Sequence, residues 1–546
     1  MKKFSFVILG ALMLIQGCIK VDGSLGKGLI DKSLIYETYT VEFPLREIEM
    51  KRSAELSGYS STRLVIGAIR DDVFGLTTRE TALTLVPALD TLDFGVNPLA
   101  VSMNIYFAAD SISCADDSQA RIIQNFKVTE LLEPLGVGVK KAQTEVSHGT
   151  QSISDGTPVY NGSGPLQFNF TKAFAQKYVD AIKGFAPDGE IVSRSWDTDK
   201  MEERFTEYTK LAPGIHIQCY PPEGNGGRLN LFQLSCLSVS NNYYQRNNNV
   251  CYLKVNSTWD GVKKDSTFMF IPGEMEFTDE ASYTKQNTKF TQYTFNRTTH
   301  EKAEGPATSA LYVEGGTGVK PVISAQEIQR NVVDSIAKYG GDPDKAIITK
   351  ATLILPFEKP ADYLDFRYFP GVLSPTILNT KTVDGKETKS YDGLTDASVS
   401  TENQGDVDRA NLMYCPDITY HVQEILLRKD LATSTNADIW LLTLHTEKTE
   451  NANGLLYDNS YYQNLLYANY YNNLYGGGYG YGGYGYNSYS NYYSYMMLAQ
   501  LLNSSQQQTF SYTAELDQDR YYRGVLNGMD SSNPPMFRVT FAITKE

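Results

Sequence analysis

Leu64-Val65-Ile66-Gly67-Ala68-Ile69 is followed, after a polar turn from Asp71 to Gly75, by Ala82-Leu83-Thr84-Leu85-Val86. Two short apolar runs flanking an Asp/Gly turn read as strands, because a helix would repeat its apolar positions every three or four residues. The same character returns along the chain. Val101 to Phe107 alternates, Val250 to Val255 and Phe537 to Phe541 have the same character, and between Ile347 and Leu355 the residues Ile348, Ala351, Leu353 and Leu355 interrupt polar neighbours. With Gly, Asn and Asp between the runs, this pattern predicts a mainly β protein of sandwich or jelly-roll-like architecture.

A few helices interrupt the strands. The clearest spans Ser324 to Tyr339: Ser324 and Glu327 have the spacing of a capping box, Ile328, Val332 and Ile336 form an apolar stripe, and Gly340-Gly341 ends it. Thr171 to Ile182 is a second, and Val422 to Leu427 a third. Short helices among many strands are expected to cap sandwich edges or ends. The capped helix also suggests a border, giving an N-terminal β-rich lobe over 41–305 and a C-terminal one over 306–546.

The start of the chain is of another kind. Lys2 and Lys3 precede an apolar run from Phe4 to Ile15, shorter than the roughly 20 residues that cross a bilayer. It reads as a secretion signal over 1–17. Ile15-Gln16-Gly17-Cys18 is similar to a bacterial lipobox, which makes Cys18 the expected lipidation site and 18–40 a tether. Acyl chains at about 0.8 kcal/mol per buried methylene would hold such a chain at a membrane. Lys20-Val21-Asp22 leaves the membrane face open.

Composition narrows the chemistry. The formal net charge is −14, which argues against a nucleic-acid partner, since phosphates need a basic face. His148, His216, His300, His421 and His445 stand in no metal-binding spacing, and no G-x-S-x-G or phosphate-loop motif occurs. No cofactor, metal site or catalytic residue is therefore expected, although a carboxylate pair has no sequence signature. Asp342-Pro343-Asp344 and Asp517-Gln518-Asp519 lack the EF-hand pattern and read as solvated turns. Besides Cys18 there are five cysteines, Cys114, Cys219, Cys236, Cys251 and Cys415. The middle three allow one disulfide or three buried thiols.

Between Tyr457 and Tyr495 there are 15 Tyr in 39 residues, interleaved with Gly and Asn. No helix or strand period persists, and glycine runs are costly to order, so 457–495 is expected to be a disordered insertion in a strand connection. Tyr475, Tyr479, Tyr481, Tyr484 and Tyr486 form its centre. They are a candidate interaction surface, because Tyr offers large contact area with few rotatable bonds; the alternative is a passive loop.

Several short motifs resemble a Bacteroidota lipoprotein family classed as domain of unknown function 4270. They are Gly67 with Asp71-Asp72 and Phe74-Gly75-Leu76-Thr77; Pro213-Gly214-Ile215-His216-Ile217 with Gly226-Gly227, similar to a mid-chain hairpin; and Tyr293 to Arg297. Glu314-Gly315-Gly316-Thr317-Gly318, Ala346 to Leu355, and Gly524-Val525-Leu526-Asn527-Gly528 with Pro534-Pro535, similar to a C-terminal strand pair, complete the set. The resemblance implies architecture and compartment and carries no activity.

The expectation is an outer-membrane lipoprotein that is not an enzyme. It would serve as a binding or structural component of an envelope assembly, with an outer-membrane β-barrel or other envelope lipoproteins as partners. The alternative is a surface glycan-binding lipoprotein, and the third reading an enzyme with a carboxylate site.

Overall fold

The computed structural model describes residues 36–60, 63–87, 92–136, 140–187, 198–234, 237–240, 243–246, 251–277, 288–291, 294–383, 385–450 and 510–544. Cys18, Cys236 and the whole Tyr/Gly-rich stretch 457–495, with the expectation of disorder placed on it, lie outside these residues. The described chain is mainly β, with a few helices and two large apolar cores.

The first core lies between two sheets. One runs, in spatial order, Val159–Tyr160, Gln124–Glu130, Ile215–Cys219, Gly75–Leu83, Arg63–Asp71, Gly226–Gln233, Ala109–Cys114, and Thr294–His300 also pairs with Gly75–Leu83. The other is Leu166–Asn169, Val96–Phe107, Cys251–Trp259, Val262–Pro272, Leu85–Pro87. The quoted apolar run sits in the middle of the first sheet and is covered on both faces. Leu64, Ile66 and Ala68 enter the main core, while Val65 and Ile69 pack with Leu229, Leu231 and Tyr521 on the reverse side. A strand with two dry faces cannot alternate, which is why this stretch reads as one continuous apolar block.

The turn is built as its residues suggest. The Asp71 carboxylate accepts from the backbone N–H groups of Val73 and Phe74 at 2.7 and 2.9 Å, and Gly75 takes φ +75°. Gly67 and Gly227 lie on adjoining strands whose backbones crowd. A Cβ on Gly67 would fall 2.2 Å from the Arg228 carbonyl oxygen, and one on Gly227 would fall 2.1 Å from that of Ala68.

The second core gathers strands from both ends of the chain. Tyr36–Pro44 pairs along its length with Met536–Thr544, which pairs in turn with Ile347–Pro356. Ile48–Arg52 pairs with Val319–Ile323 in a second sheet that continues through Ile439–Glu450, Val372–Val383 and Lys386–Gly393. The boundaries drawn at residues 40 and 41 are therefore corrected. Tyr36 to Thr40 is strand rather than tether, and the segment through Arg52 belongs to the C-terminal lobe. Nothing local marks this, since a strand's partner can be 500 residues away.

The helices form close to their expected limits, as Lys172–Phe185, Ala325–Lys338 and Thr419–Leu426, with further ones at Thr198–Leu211 and, as a single turn, Asp396–Val399. Their role differs from edge capping. Phe174, Tyr178 and Ile182 fill the first core, and Ile328, Val332 and Ile336 fill the second. Ser324 Oγ accepts from the Glu327 N–H at 3.2 Å, but only this half of the capping box forms. The buried Glu327 carboxylate instead accepts from the backbone N–H groups of Arg46 and Glu47 at 2.7 and 2.9 Å, fastening the first strands to the helix.

Two pairings implied by the resemblance are also corrected. Ile215–Cys219 pairs with Gly75–Leu83 and Gln124–Glu130, and Gly226–Gln233 pairs with Arg63–Asp71 and Ala109–Cys114, so the two are not a hairpin. Arg523–Asn527 pairs with Ala310–Glu314 rather than with the terminal strand.

Candidate functional site at the lobe junction

Where the two lobes meet, the first sheet turns a polar face inward. Thr77, Arg79 and Thr81 are buried at alternate positions of Gly75–Leu83, and Asn296, Thr298 and His300 do the same on the neighbouring strand. The register places Arg79 opposite Thr298, Thr77 beside His300 and Thr81 beside Asn296. From the C-terminal lobe, Glu314, Thr317 and Lys320 complete the cluster on the turn between Ala310–Glu314 and Val319–Ile323.

The hydrogen bonds define the charge states. His300 Nδ1 lies 3.1 Å from Glu314 Oε1, and Glu314 Oε2 accepts from the Val319 N–H at 2.9 Å. Burial, with Arg79 and Lys320 nearby, pushes His300 down to about 4, so it is neutral at pH 7. As the Nδ1–H tautomer it donates to Glu314 and leaves Nε2 to accept from Thr298 Oγ1, 2.9 Å away. Burial alone would raise the Glu314 carboxyl, but His300, the Val319 N–H and the Lys320 charge together hold it below the usual range. Lys320 Nζ donates to the carbonyls of Gly316 and Gly318 at 3.0 and 3.3 Å, and burial lowers it to about 7.

Arg79 is less well served. Its Nη1 meets Thr298 Oγ1, and reaches His300 Nε2 and the Thr78 carbonyl at 3.3 and 3.4 Å. Nη2 has one long bond, 3.4 Å to the Gln518 carbonyl, and Nε has no partner. Burial lowers this guanidinium to about 10, against the raising effect of Asp519, Glu314 and Asp517, so it stays charged. Beside it is a cavity of about 230 Å³ lined by Ser57, Ser60, Asn296, Thr298, Gln518 and Asp519, among others.

Sequence reasoning found none of this cluster as a site. His300 stood as one of five scattered histidines, and Glu314 to Gly318 entered only through the resemblance. Thr77 to Thr81 is polar at every position, so no period in the sequence marks which of its faces is buried. Cys18 and the Tyr475, Tyr479, Tyr481, Tyr484 and Tyr486 group lie outside the described residues. Asp517-Gln518-Asp519 is not the solvated turn expected. Asp517 is buried, and its carboxylate accepts from the N–H groups of Asp519 and Arg520 and from Tyr522 Oη at 2.6 Å. Asp342 does cap a surface turn, accepting from the Asp344 N–H at 3.1 Å.

The structure brings two other histidines together, His148 and His216, stacked with ring centroids 4.1 Å apart. Cys114, Cys219, Cys251 and Cys415 are free thiols. Among the described residues, no group of three or more His, Cys, Asp or Glu is placed to hold a metal ion, and no helix is long and apolar enough to cross a membrane. No family model, curated protein or solved structure matches this chain, so the family resemblance rests on its short glycine-based motifs.

Proposed function

We propose that this chain is a lipid-anchored, non-enzymatic binding or structural component of a bacterial envelope assembly, attached at the outer membrane through Cys18. The observation that supports it most is how the fold presents its two unusual segments. Tyr36–Pro44 lies at the edge of its sheet, and Cys18 precedes Tyr36 by 18 residues. Fully extended, that length spans about 60 Å, enough to set the β lobes clear of a membrane surface. The Tyr-rich stretch is inserted between Ile439–Glu450 and Phe510–Leu516, which pair antiparallel with Glu450 opposite Phe510. The residues that flank the insertion therefore meet at one end of a β ribbon. A Tyr-rich segment delivered from an anchored scaffold suits contact with other envelope proteins.

The test is fractionation and co-purification of the full chain after mild detergent extraction. Cys18→Ala should leave the membrane fraction and lose acyl labelling. Deleting Tyr461 to Tyr495 should leave thermal stability nearly unchanged while removing a stoichiometric envelope partner. Unchanged membrane fractionation with acyl labelling in Cys18→Ala would contradict anchoring at this residue, and an undiminished partner after the deletion would contradict the binding role of the insertion.

A further inference from the structure

We propose that the tip of the hairpin formed by Cys251–Trp259 and Val262–Pro272 is a contact site for a lipid bilayer, entering the headgroup region together with the start of the neighbouring strand Val96–Phe107. The hairpin closes through Asp260 and Gly261, with φ +50° and +78°, the left-handed pair that a tight two-residue turn requires. Four apolar side chains gather at this end. Val262 lies opposite Trp259 across the turn, and in the adjoining strand Val96 lies opposite Thr258 and Leu99 opposite Asn256. Val96, Leu99 and Val262 are 60, 62 and 64% exposed, and Trp259 is half-buried. The core does not claim them: along Cys251–Trp259 it ends at Val255, and Ser257 is the last buried side chain. Single exposed apolar residues are ordinary, whereas several at one tip of three adjoining strands mark an interaction site.

The surroundings of the tip suit a bilayer. Tryptophan and lysine beside aliphatic side chains match the membrane–water boundary, where the ring and the alkyl groups leave water and the ammonium stays among headgroups. Lys263 and Lys264 are exposed, and Lys264 Nζ stands 4.9 Å from the centroid of the Trp259 ring. Lys183 reaches the same end, where it donates to the Gly95 carbonyl at 2.5 Å. The carboxylates there are Asp260 in the turn and Asp93, which accepts from the Gly95 N–H at 2.8 Å; Asp265, further back, is paired with Lys254 at 2.8 Å. The tip is thus slightly basic on a chain whose net charge is −14, so an anionic bilayer repels the body and draws the tip. The indole N–H is already taken by Ser257 Oγ at 2.8 Å, so the ring can leave water without stranding a donor. From Asn256 to the turn is about 13 Å of strand, and a penetration of roughly 5–10 Å takes in Trp259, Val262 and Val96 while the sheet stays outside. The contact does not depend on the anchor at Cys18, and its failure would leave the anchoring proposal standing.

The experiment is tryptophan quenching in the full chain, purified in detergent and reconstituted into vesicles of phosphatidylcholine brominated on its acyl chains, with or without an equal part of phosphatidylglycerol. Emission should be quenched relative to unbrominated vesicles, and Trp259→Phe should abolish the quenching. Val96→Asp with Val262→Asp, at exposed sites that leave the core untouched, should remove it while Trp259 still emits. Lys263→Glu with Lys264→Glu should lower it about twofold or more where phosphatidylglycerol is present and leave it unchanged in phosphatidylcholine alone. Thermal unfolding checks that each variant is folded. Sedimentation with the vesicles without quenching would overturn the proposal and leave the anchor intact. Quenching that survives Trp259→Phe or the paired Asp variant would overturn it too, because another part of the chain would then be the one in the lipid, as would an undiminished signal in the charge-reversed chain.

Discussion

Two arginines are buried in the first sheet, and they are solved differently. Arg228, in the N-terminal lobe, donates through Nε to Asn230 Oδ1 at 2.6 Å and through Nη1 to the carbonyls of Gln119, Ala120 and Ile122 at 3.2, 2.8 and 3.1 Å. Its Nη2 reaches the Tyr160 carbonyl at 3.2 Å. Every nitrogen is used, and the short turn Asp117–Arg121 is wrapped around the guanidinium. Arg79, at the lobe junction, has an idle Nε, a weakly held Nη2 and a cavity alongside. A closed arginine ties its surroundings together; one with an idle Nε does so less. The contrast lies in hydrogen bonding rather than in charge, since burial lowers the pKa of both.

The sharpest way to break the comparison is Arg228→Leu. It would strand the Asn230 side chain and four carbonyls without their donor, and should cost about 3–5 kcal/mol of unfolding free energy in urea. A loss below about 1 kcal/mol would show that the cage is not structural.

A middle-sized effect is expected from the pH dependence of the junction. The folded His300 titrates at about 4, below the roughly 6.5 of an unfolded chain. Between those values the unfolded state binds the extra proton, so stability falls as pH drops from about 6.5 to 4, by up to about 1.4 kcal/mol per pH unit. His300→Gln should flatten this acid limb in equilibrium unfolding measured across the window. An unchanged slope would mean that His300 is already protonated in the folded junction.

Arg79→Leu should have the smallest effect, about 1 kcal/mol or less. It removes a poorly bonded buried charge, and a well-packed apolar residue in such a place is often neutral. A loss as large as that of Arg228→Leu would put the two arginines in one class.

Local chemistry made much of the fold readable in the sequence. The Asp71 to Gly75 turn and the Ser324 cap depend on neighbours within a few residues and form where their residues indicate, whereas the run Ala82 to Val86, read as one strand, is split at Thr84 between Gly75–Leu83 of one sheet and Leu85–Pro87 of the other. What was hidden depends on distant partners. Thr40 lies opposite Thr540, their hydroxyl oxygens 2.9 Å apart, and no pattern in either strand names the other. Glu327 sits in a sound capping-box position, yet its carboxylate is taken by the backbone at Arg46 and Glu47. Arg79 is the clearest case. In Gly75–Leu83 it looks like one polar residue of a solvated face, and it becomes buried only because the Glu314 to Lys320 turn and the segment around Gln518 close over it.

The claim that Arg79 is poorly bonded and Arg228 fully bonded can be observed directly in the side-chain Nε–H signals of the full chain labelled with ¹⁵N-arginine, assigned with Arg79→Lys and Arg228→Lys. The Arg228 Nε–H, bonded to Asn230, should exchange slowly with water. The Arg79 Nε–H, which has no partner, should exchange faster. Equal protection of the two signals would contradict the account.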